Sequence, residues 1–376
     1  MKTLLQVASL LLLGIAFGFA HADLPHIQHV HRGGEIGSVG QMQAPRAAHT
    51  MTTLHDGRVL IAGGCTARSC DPGQHASTGE LFDPATGAFT LAGSMHSARV
   101  SHAATLLPSG DVLITGGWDR GNAVSSAEIY RVKTGVFEQI ASLPAPRASH
   151  TQTLLDNGKV LLVGGHDGNS ILGSAVLFHP DTGTFSETGG LQTPRNSHVA
   201  VQLQDGRVMI IAGGDTYNDV VLASAEVYDP ETGRFTEVGA LRTPRYKHAA
   251  TLLKDGRVLV VGGSDERDSR GRYTSAEIFD PSTGQFTETA AMASPRFKLP
   301  HAITTLPNGW VLVAGGDEHA EVFDPNREIF LPIPGSMGAG RSFASVAMLQ
   351  GGNVMISGGY DPQIRVSNSA WLYEER

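Results

Sequence analysis

Paired glycines recur seven times along this chain, and each pair closes a short apolar run. The pairs lie between 43 and 53 residues apart, at Gly63-Gly64, Gly116-Gly117, Gly164-Gly165, Gly213-Gly214, Gly262-Gly263, Gly315-Gly316 and Gly358-Gly359. A fixed period of this size is typical of arrays in which each repeat packs only against its neighbours. The repeat therefore predicts one modular domain rather than a single large core.

Each repeat contains two hairpin signals. Residues 248–263, HAATLLKDGRVLVVGG, hold Asp-Gly between two apolar runs, a pair that favours a tight two-residue turn with positive φ. Residues 224–239, SAEVYDPETGRFTEVG, hold a Pro- and Gly-containing turn between two further β-rich runs. The first two strands do not alternate strictly, which is typical of strands covered on both faces. Each repeat is therefore predicted to form four antiparallel strands.

The Gly-Gly pair after strand two, the EVYDP strand, the TGxF turn and the aromatic residue of strand four resemble kelch repeats over most of the chain. The usual strand-four Trp is replaced by Phe, at Phe89, Phe137, Phe185, Phe235, Phe286 and Phe330. The resemblance implies an all-β fold, a seven-bladed kelch-type β-propeller.

The two ends of the chain predict how the ring closes. The C-terminal SAWLYEER supplies only the third strand of the seventh repeat. Residues 34–46, GEIGSVGQMQAPR, align without a gap on residues 183–195, GTFSETGGLQTPR, so that Ile36 takes the place of Phe185 and Met42 that of Leu191. We therefore expect the N-terminal strand to complete the last blade, which removes the exposed sheet edges of an open array.

The N-terminus has the pattern of a secretory signal. Lys2 precedes a leucine-rich stretch, and an A-x-A pattern ends at Ala22, which predicts cleavage before Asp23. A membrane anchor is the alternative. The predicted organisation is a signal peptide over 1–22, a flexible leader over 23–32 and a single propeller domain over 33–376. We expect a periplasmic or secreted protein with no membrane span after signal removal.

Cys65 and Cys70 are the only two cysteines, and they lie in one loop. In an oxidising compartment this spacing favours a disulfide that closes the loop. A metal site would need further ligands, and redox-active pairs usually have the tighter C-x-x-C spacing.

Charge and motifs narrow the classes of function. A formal charge of −8 argues against nucleic acid, which selects a basic surface. The chain contains neither the phosphate-binding patterns G-x-x-x-x-G-K-[ST] and G-x-G-x-x-G nor the catalytic patterns G-x-S-x-G and H-E-x-x-H. No cofactor and no metal are predicted, and the missing motifs favour a non-catalytic protein.

Two residue types recur with the blade. An Arg precedes strand one in every repeat, at Arg46, Arg99, Arg147, Arg195, Arg245, Arg296 and Arg341, and five repeats hold a Glu in strand three, at Glu80, Glu128, Glu226, Glu277 and Glu321. A His follows the Arg in six repeats, at His49, His102, His150, His198, His248 and His301. A residue that recurs with the blade is most simply a structural contact. The alternatives are an arginine ring that holds an anion and a histidine ring that holds a metal.

Departures from the repeat predict the binding site. In kelch propellers the segment entering strand one and the loop after Gly-Gly open on the same face. Most repeats carry small residues there, whereas repeats five and six carry large aromatic and cationic ones. The predicted ligand-binding residues are Tyr246, Lys247, Arg270, Arg272, Tyr273, Phe297, Lys298, Trp118 and Asp119. Aromatic faces combined with Lys and Arg suit a flat or anionic ligand.

We therefore expect an exported binding or scaffolding propeller whose partner, at the channel mouth, is a protein or an acidic glycan. The alternative is a carbohydrate-active enzyme. Secreted kelch-type propellers include sialic-acid mutarotases and copper oxidases of the galactose oxidase type. The oxidase alternative requires a Cys cross-linked to a copper-bound Tyr, and neither Cys here has a Tyr close in sequence.

Overall fold

The structure, a computed structural model, describes residues 34–70, 73–215 and 217–375. The predicted signal peptide, its cleavage point and the leader lie outside these residues. In chain order the strands of the first half are β1 (Glu35–Gln41), β2 (Thr50–Thr53), β3 (Val59–Ala62), β4 (Thr78–Asp83), β5 (Ala88–Ser94), β6 (Ala103–Leu106), β7 (Val112–Thr115), β8 (Trp118–Asp119), β9 (Asn122–Ala123), β10 (Ala127–Arg131), β11 (Val136–Gln139), β12 (Thr151–Leu154), β13 (Val160–Val163), β14 (Ala175–His179) and β15 (Thr184–Glu187).

The strands of the second half are β16 (Val199–Gln202), β17 (Val208–Ile211), β18 (Gly214–Asp215), β19 (Val220–Val221), β20 (Ala225–Asp229), β21 (Arg234–Val238), β22 (Ala249–Leu252), β23 (Val258–Val261), β24 (Ala276–Asp280), β25 (Gln285–Glu288), β26 (Ile303–Thr305), β27 (Val311–Val313), β28 (Glu321–Asp324), β29 (Ile329–Pro332), β30 (Ser345–Met348), β31 (Val354–Ser357) and β32 (Ser369–Glu374). Two short 3₁₀ turns cover Arg68–Cys70 and Asp268–Arg270. No helix in the described part of the chain is long and apolar enough to cross a membrane.

Seven antiparallel four-stranded sheets form the blades, and two-stranded ribbons β8–β9 and β18–β19 extend blades two and four. The first strands of successive blades contact one another in the order β2, β6, β12, β16, β22, β26, β30 and back to β2. The ring is therefore closed, and the seven-bladed kelch-type propeller predicted from the sequence is confirmed.

The N-terminal strand completes blade seven, as the alignment predicted. The strand order in that sheet is β1, β32, β31 and β30. Ile36 pairs with Tyr373 in the register that Phe185 and Phe178 share in blade three. The last sheet therefore has its fourth strand from the opposite end of the chain.

The core lies between the blades. The second strand of each blade is fully buried; Val258 to Val261 of β23, for example, have no exposed surface. Apolar side chains of neighbouring blades meet in shared clusters, such as Met209 and Ile211 of blade four with Val258 and Val260 of blade five. Burial on both faces explains why these strands read as continuous apolar runs.

Strands three and four of each blade are joined by an aromatic pair. Ring centroids lie 4.8 to 5.0 Å apart in six blades, in Phe82–Phe89, Tyr130–Phe137, Phe178–Phe185, Tyr228–Phe235, Phe279–Phe286 and Phe323–Phe330. Phe therefore occupies the strand-four position at which kelch repeats usually carry Trp, and a tilted ring contact is retained there.

The first hairpin turn is one residue longer than the sequence suggested. In blade one, Leu54 and Arg58 close a loop of three residues: the amide of Leu54 donates to the carbonyl of Arg58 (2.8 Å), and the amide of Gly57 donates to the carbonyl of Leu54 (3.0 Å). Gly57 alone takes a positive φ, 88°. A type I turn followed by a left-handed Gly is the common three-residue hairpin, and it accepts the same Asp-Gly pair.

Candidate functional site

Six of the seven recurring arginines are buried inside their own blades, and the seventh, Arg341, is half-buried. Arg245 donates from Nη1 to the carbonyl of Gly262 (2.8 Å) and from Nη2 to Glu277 Oε1 (2.8 Å). Glu277 also accepts the amides of Arg242 and Thr243. The equivalent pairs, at 2.8 to 2.9 Å, are Arg46–Glu80, Arg99–Glu128, Arg195–Glu226 and Arg296–Glu321. The paired arginines are therefore structural contacts within their blades, and they do not form an arginine ring at the mouth.

Blade three lacks the carboxylate. Val176 occupies the position of Glu277, and Pro144, which has no amide hydrogen, occupies that of Arg242. Arg147 is nevertheless buried, with 1% of its surface exposed. In the described structure it donates hydrogen bonds to Gly164 O, Ser174 O and Ser174 Oγ, at 3.2 to 3.3 Å. Desolvation lowers the pKa of Arg147 to about 10.

Five of the six recurring histidines are also buried, whereas His301 is exposed. Four of the buried ones hydrogen-bond to a hydroxyl of a neighbouring blade: His49, His102, His150 and His198. His102 Nε2 lies 3.0 Å from Thr50 Oγ1, and His150 Nε2 lies 2.9 Å from Thr115 Oγ1. A Cβ on Gly63 would lie 2.6 Å from His102 Cε1, so the first Gly of the pair makes room for the next blade's imidazole. This contact links the two repeated features of the sequence.

Burial and the neighbouring arginines keep these imidazoles neutral. Desolvation, with the charges of Arg46 and Arg195, lowers the pKa of His49 and His198 to about 3. Among the described residues no group of three or more His, Cys, Asp or Glu side chains is arranged to hold a metal ion.

Blade four departs from the sequence alignment by one residue. The carbonyl that Arg195 contacts is that of Ala212 (3.0 Å), and Ala212 takes φ 51°, so Ala212-Gly213 is equivalent to the Gly-Gly pairs elsewhere. The assignment of Gly213-Gly214 from the sequence was wrong in register. His248 faces this site with neither ring nitrogen hydrogen-bonded. Blade four has Val199 and Ile211 at the two paired positions, one of which supplies a hydroxyl to the other buried histidines: Thr50 and Thr151 on strand one, Thr115 and Ser357 on strand two.

Seven residues, each two places after the recurring Arg, form the rim of the channel. All have left-handed backbones with φ between 51° and 58°: Ala48, Ser101, Ser149, Ser197, Lys247, Lys298 and Phe343. Their backbones are linked from blade to blade; the amide of Ser149, for instance, donates to the carbonyl of Ser101 (2.9 Å). In blade six the amide of Leu299, not that of Lys298, donates to Lys247 (3.1 Å). The rim is thus a closed circle of hydrogen bonds.

The two rim lysines share one carboxylate. Asp268, which follows the glycine pair of blade five, places Oδ1 at 3.1 Å from Lys247 Nζ and Oδ2 at 3.5 Å from Lys298 Nζ. The lysine side chains are 21% and 15% exposed. Burial would raise the pKa of Asp268, but the two ammonium groups hold it below its ordinary value. Burial lowers the pKa of Lys247; Asp268 opposes this effect, and Lys298 adds to it.

Aromatic rings surround this trio. Lys247 Nζ lies 4.5 Å from the ring centroid of Tyr246, and Lys298 Nζ lies 4.7 Å from that of Phe297. Lys298 Nζ is also 5.8 Å from the ring centroid of Phe343 and 5.5 Å from that of Tyr360. Burial, with the charge of Asp268, raises the pKa of Tyr246 to about 12. Cation–π contacts therefore hold both lysines at the mouth.

The other predicted site residues lie around this cluster. Arg272 is exposed, with its guanidinium 5.7 Å from the ring centroid of Phe297. Tyr273 lies under Arg245 (5.6 Å), and Arg270 is exposed on the same loop. Tyr246 and Phe297 are only 6% exposed each, so their rings support the lysines more than they present an open face.

Trp118 and Asp119 lie in blade two, apart from the lysine pair. The Trp118 ring packs on His166, with centroids 4.8 Å apart, and lines a second cavity that Phe343 and Tyr360 also line. Asp119 is half-buried in the β8–β9 ribbon. The rim residue Phe343 was missed from the sequence, although its place two residues after Arg341 marks it as a large residue at a usually small position. No sequence signal indicated Asp268.

Two cavities open from the rim. The axial cavity, about 320 Å³, is lined by rim residues Ser101, Ser149 and Lys247 and by buried His102 and His150. The other cavity, about 480 Å³, lies beside the loop in which the structure joins Cys65 to Cys70 through a disulfide.

Comparisons with known proteins agree with this architecture. The kelch motif family model matches residues 99–144 and 245–293, and together with the seven-bladed ring this match supports a kelch-repeat propeller. Among solved structures, the chain is similar to a novel fungal alcohol oxidase with catalytic diversity among the AA5 family, in complex with copper, at TM-score 0.72 and 15% identity over 91% of this chain and 76% of that one. No curated protein sequence matches. At this identity the likeness shows the fold alone.

The copper of that oxidase has no fitting donor set among the described residues of this chain. Both cysteines are joined to each other, and no cluster of three or more His, Cys, Asp or Glu side chains is present there. Recurring histidines such as His102 place Nε2 against a hydroxyl of the neighbouring blade rather than toward a metal position.

Proposed function

We propose that this kelch-repeat propeller is a binding module whose channel mouth takes a ligand that carries a carboxylate, from an acidic glycan or a peptide. One observation carries the proposal: Lys247 and Lys298, on adjacent blades, share the single carboxylate of Asp268. The trio keeps a net positive charge in a partly desolvated concavity. A second anion is therefore attracted to the same place.

The arrangement suits a carboxylate for two reasons. An ammonium donor to a carboxylate makes a charge-assisted hydrogen bond, roughly twice as strong as a neutral one. Partial burial of both lysines lowers the local dielectric and strengthens that attraction. Asp268 occupies the position that we assign to the carboxylate of the ligand, so the ligand and Asp268 compete for the two ammonium groups.

The predicted export of the protein supports a ligand outside the cytoplasm. A disulfide between Cys65 and Cys70 is stable in an oxidising compartment. We therefore propose a periplasmic or secreted location. The alternative function, a carbohydrate-active enzyme, remains a hypothesis that rests on likeness of fold.

The test is a ligand titration with matched variants. Galacturonate oligomers, N-acetylneuraminate and a C-terminal tripeptide are titrated by calorimetry and by thermal shift. We expect saturable stabilisation of the wild-type protein, about 1.4 kcal/mol when the ligand is at ten times Kd. In the Lys247→Met/Lys298→Met variant we expect affinity to fall about a hundredfold, the loss of two charge-assisted contacts.

Lys133→Met is the control, because Lys133 is exposed in the β10–β11 turn at the other end of the blade. The proposal fails if no carboxylate stabilises the wild-type protein, or if the double variant binds as well as the control.

A further inference from the structure

The 480 Å³ cavity is bordered by blades seven, one and two. Its walls are the rings of Trp118, Phe343 and Tyr360, the aliphatic side chains of Ile364 and Val366, and the loop closed by the Cys65–Cys70 disulfide. Pockets that bind small molecules are commonly of this size and mostly apolar. Neither the family match nor the proposed carboxylate site accounts for this cavity.

Few polar side chains line the cavity. Besides the edge groups of Trp118 and Tyr360, only His75 and Ser101 supply polar side-chain atoms. A sugar ring placed there would leave several hydroxyl groups without partners, and each unsatisfied group costs about 1–3 kcal/mol. The cavity therefore selects an apolar group rather than a saccharide.

Ile364 is held at the cavity in an unfavourable backbone conformation. Its φ is 61°, and 42% of its surface is exposed. A β-branched residue in this region is a true outlier, and such strain persists where the surroundings impose it. Asp361 imposes it here: its carboxylate accepts the amides of Gln363 and Arg365 (2.9 Å each), and its carbonyl accepts that of Ile364 (2.8 Å). The loop thus presents an aliphatic side chain in a preset position.

The cavity adjoins the lysine pair. Phe343 and Tyr360 line it, and the same two rings lie 5.8 and 5.5 Å from Lys298 Nζ. Phe343 also lines the axial cavity together with Lys247. Phe343 therefore lies between the apolar pocket and the cationic site, and the rim residues Ala48 and Ser101 also line both cavities.

From this juxtaposition we propose that the ligand is an apolar acid, a carboxylate joined by a short linker to an aromatic or branched aliphatic group. The carboxylate binds at Lys298 and Lys247, and the apolar group fills the pocket beside Ile364. The inference rests on the proposed carboxylate site and names its ligand class. A peptide C-terminus ending in an aromatic or branched residue and a free aryl acid share this chemistry.

The experiment uses probes that separate the two parts of the ligand. Binding of 3-phenylpropanoate, its amide 3-phenylpropanamide, acetate and N-acetyl-Gly-Gly-Phe is measured by calorimetry. We expect 3-phenylpropanoate to bind at least about tenfold more tightly than either the amide or acetate. If the tripeptide binds more tightly than 3-phenylpropanoate, the natural ligand is a peptide C-terminus. If it binds equally or more weakly, the natural ligand is a free acid.

Two variants locate the contacts. Ile364→Asn removes the apolar side chain, and Asn tolerates a positive φ. We expect its melting temperature to be unchanged or raised while 3-phenylpropanoate binding weakens about tenfold toward the acetate level. Val136→Asn, at an exposed apolar position on β11, is the matched control.

The possible failures differ. If acetate binds as well as 3-phenylpropanoate and Lys298→Met weakens both, the apolar inference is overturned and the carboxylate site stands. If the amide binds as well as the acid and Lys298→Met changes nothing, the carboxylate site is overturned, and this inference with it. Equal binding of 3-phenylpropanoate by Ile364→Asn and wild-type protein also overturns the inference.

Discussion

Arg245 Nη2 donates to Glu277 Oε1 across 2.8 Å, and neither side chain is exposed to solvent. Glu277 also anchors two amides of the segment that leads to the channel rim. The pair therefore connects the outer part of a blade to the residues that carry Lys247. Its desolvation cost is offset only while both partners are present.

We predict that Glu277→Ala lowers the free energy of unfolding by about 3–5 kcal/mol, because it leaves a buried guanidinium without its carboxylate. Urea denaturation measures the loss. Glu237→Ala, at an exposed position on β21 of blade four, is the control and should change stability by less than about 0.5 kcal/mol. Equal losses of stability from the two substitutions would show that the buried ion pair contributes no more than an exposed side chain.

Blade three provides a natural comparison. Arg147 has no carboxylate partner, so Arg147→Met removes a costly buried charge and leaves no carboxylate unpaired. Arg245→Met leaves the buried carboxylate of Glu277 without its guanidinium partner. We predict that Arg147→Met destabilises the protein at least about 2 kcal/mol less than Arg245→Met does, measured in the same urea titrations. Similar losses would mean that contacts to backbone carbonyls dominate at both sites.

The buried histidines predict marked acid sensitivity. Their folded-state pKa values lie below the ordinary value of about 6.5, to about 3 for His49 and His198. Above that ordinary value both states are neutral and stability does not depend on these groups. As pH falls below it, only the unfolded chain takes up protons, so each buried His removes up to about 1.4 kcal/mol per pH unit.

Urea titrations at pH 7.5 and pH 5.5 test this slope. His248→Leu is the informative variant, because neither His248 nitrogen is hydrogen-bonded and blade six places Leu299 against Gly262, the residue equivalent to Ala212. We expect His248→Leu to keep the stability seen at pH 7.5 and to lose less at pH 5.5. An unchanged loss would contradict a buried neutral His248.

Asp268 is predicted to compete with the ligand. Asp268→Asn removes the internal carboxylate and should raise affinity for a carboxylate ligand several-fold, with binding that weakens as salt increases. Because the folded-state pKa of Asp268 lies below its ordinary value, its ion pairs stabilise the fold above about pH 4, and this contribution is lost as pH falls further. Calorimetry at two salt concentrations measures the affinity. Asp255→Asn, which removes an exposed carboxylate paired with half-buried Arg257, should not change the affinity.

Ring closure by β1 predicts the effect of truncation. Removing residues up to Met42 exposes the edge of β32 and opens the blade that borders the apolar cavity. We expect a lower melting temperature and concentration-dependent association, because an unpaired edge recruits other strands. Light scattering and thermal scans compare the truncated chain with a chain that begins at Gly34. Identical behaviour of the two chains would refute closure by β1.

The sequence was sufficient to predict the number of blades, their four strands and the closing strand. These features arise from local turn chemistry and from a pattern repeated seven times, so each copy supports the same interpretation. The repeat also identified Lys247 and Lys298 as departures from it. Ile36 could be placed opposite Tyr373 because the alignment transfers the register of a complete blade to an incomplete one.

Only the tertiary structure decided which groups meet at the mouth. Asp268 reaches both lysines from the long loop of blade five, whose sequence does not repeat in the other blades, and Tyr360 approaches Lys298 from the next blade. The one-residue register of Ala212 in blade four was likewise invisible to the Gly-Gly pattern. Contacts within a blade recur with the sequence and can be predicted from it. Contacts between irregular loops depend on their positions in space, which the ring alone determines.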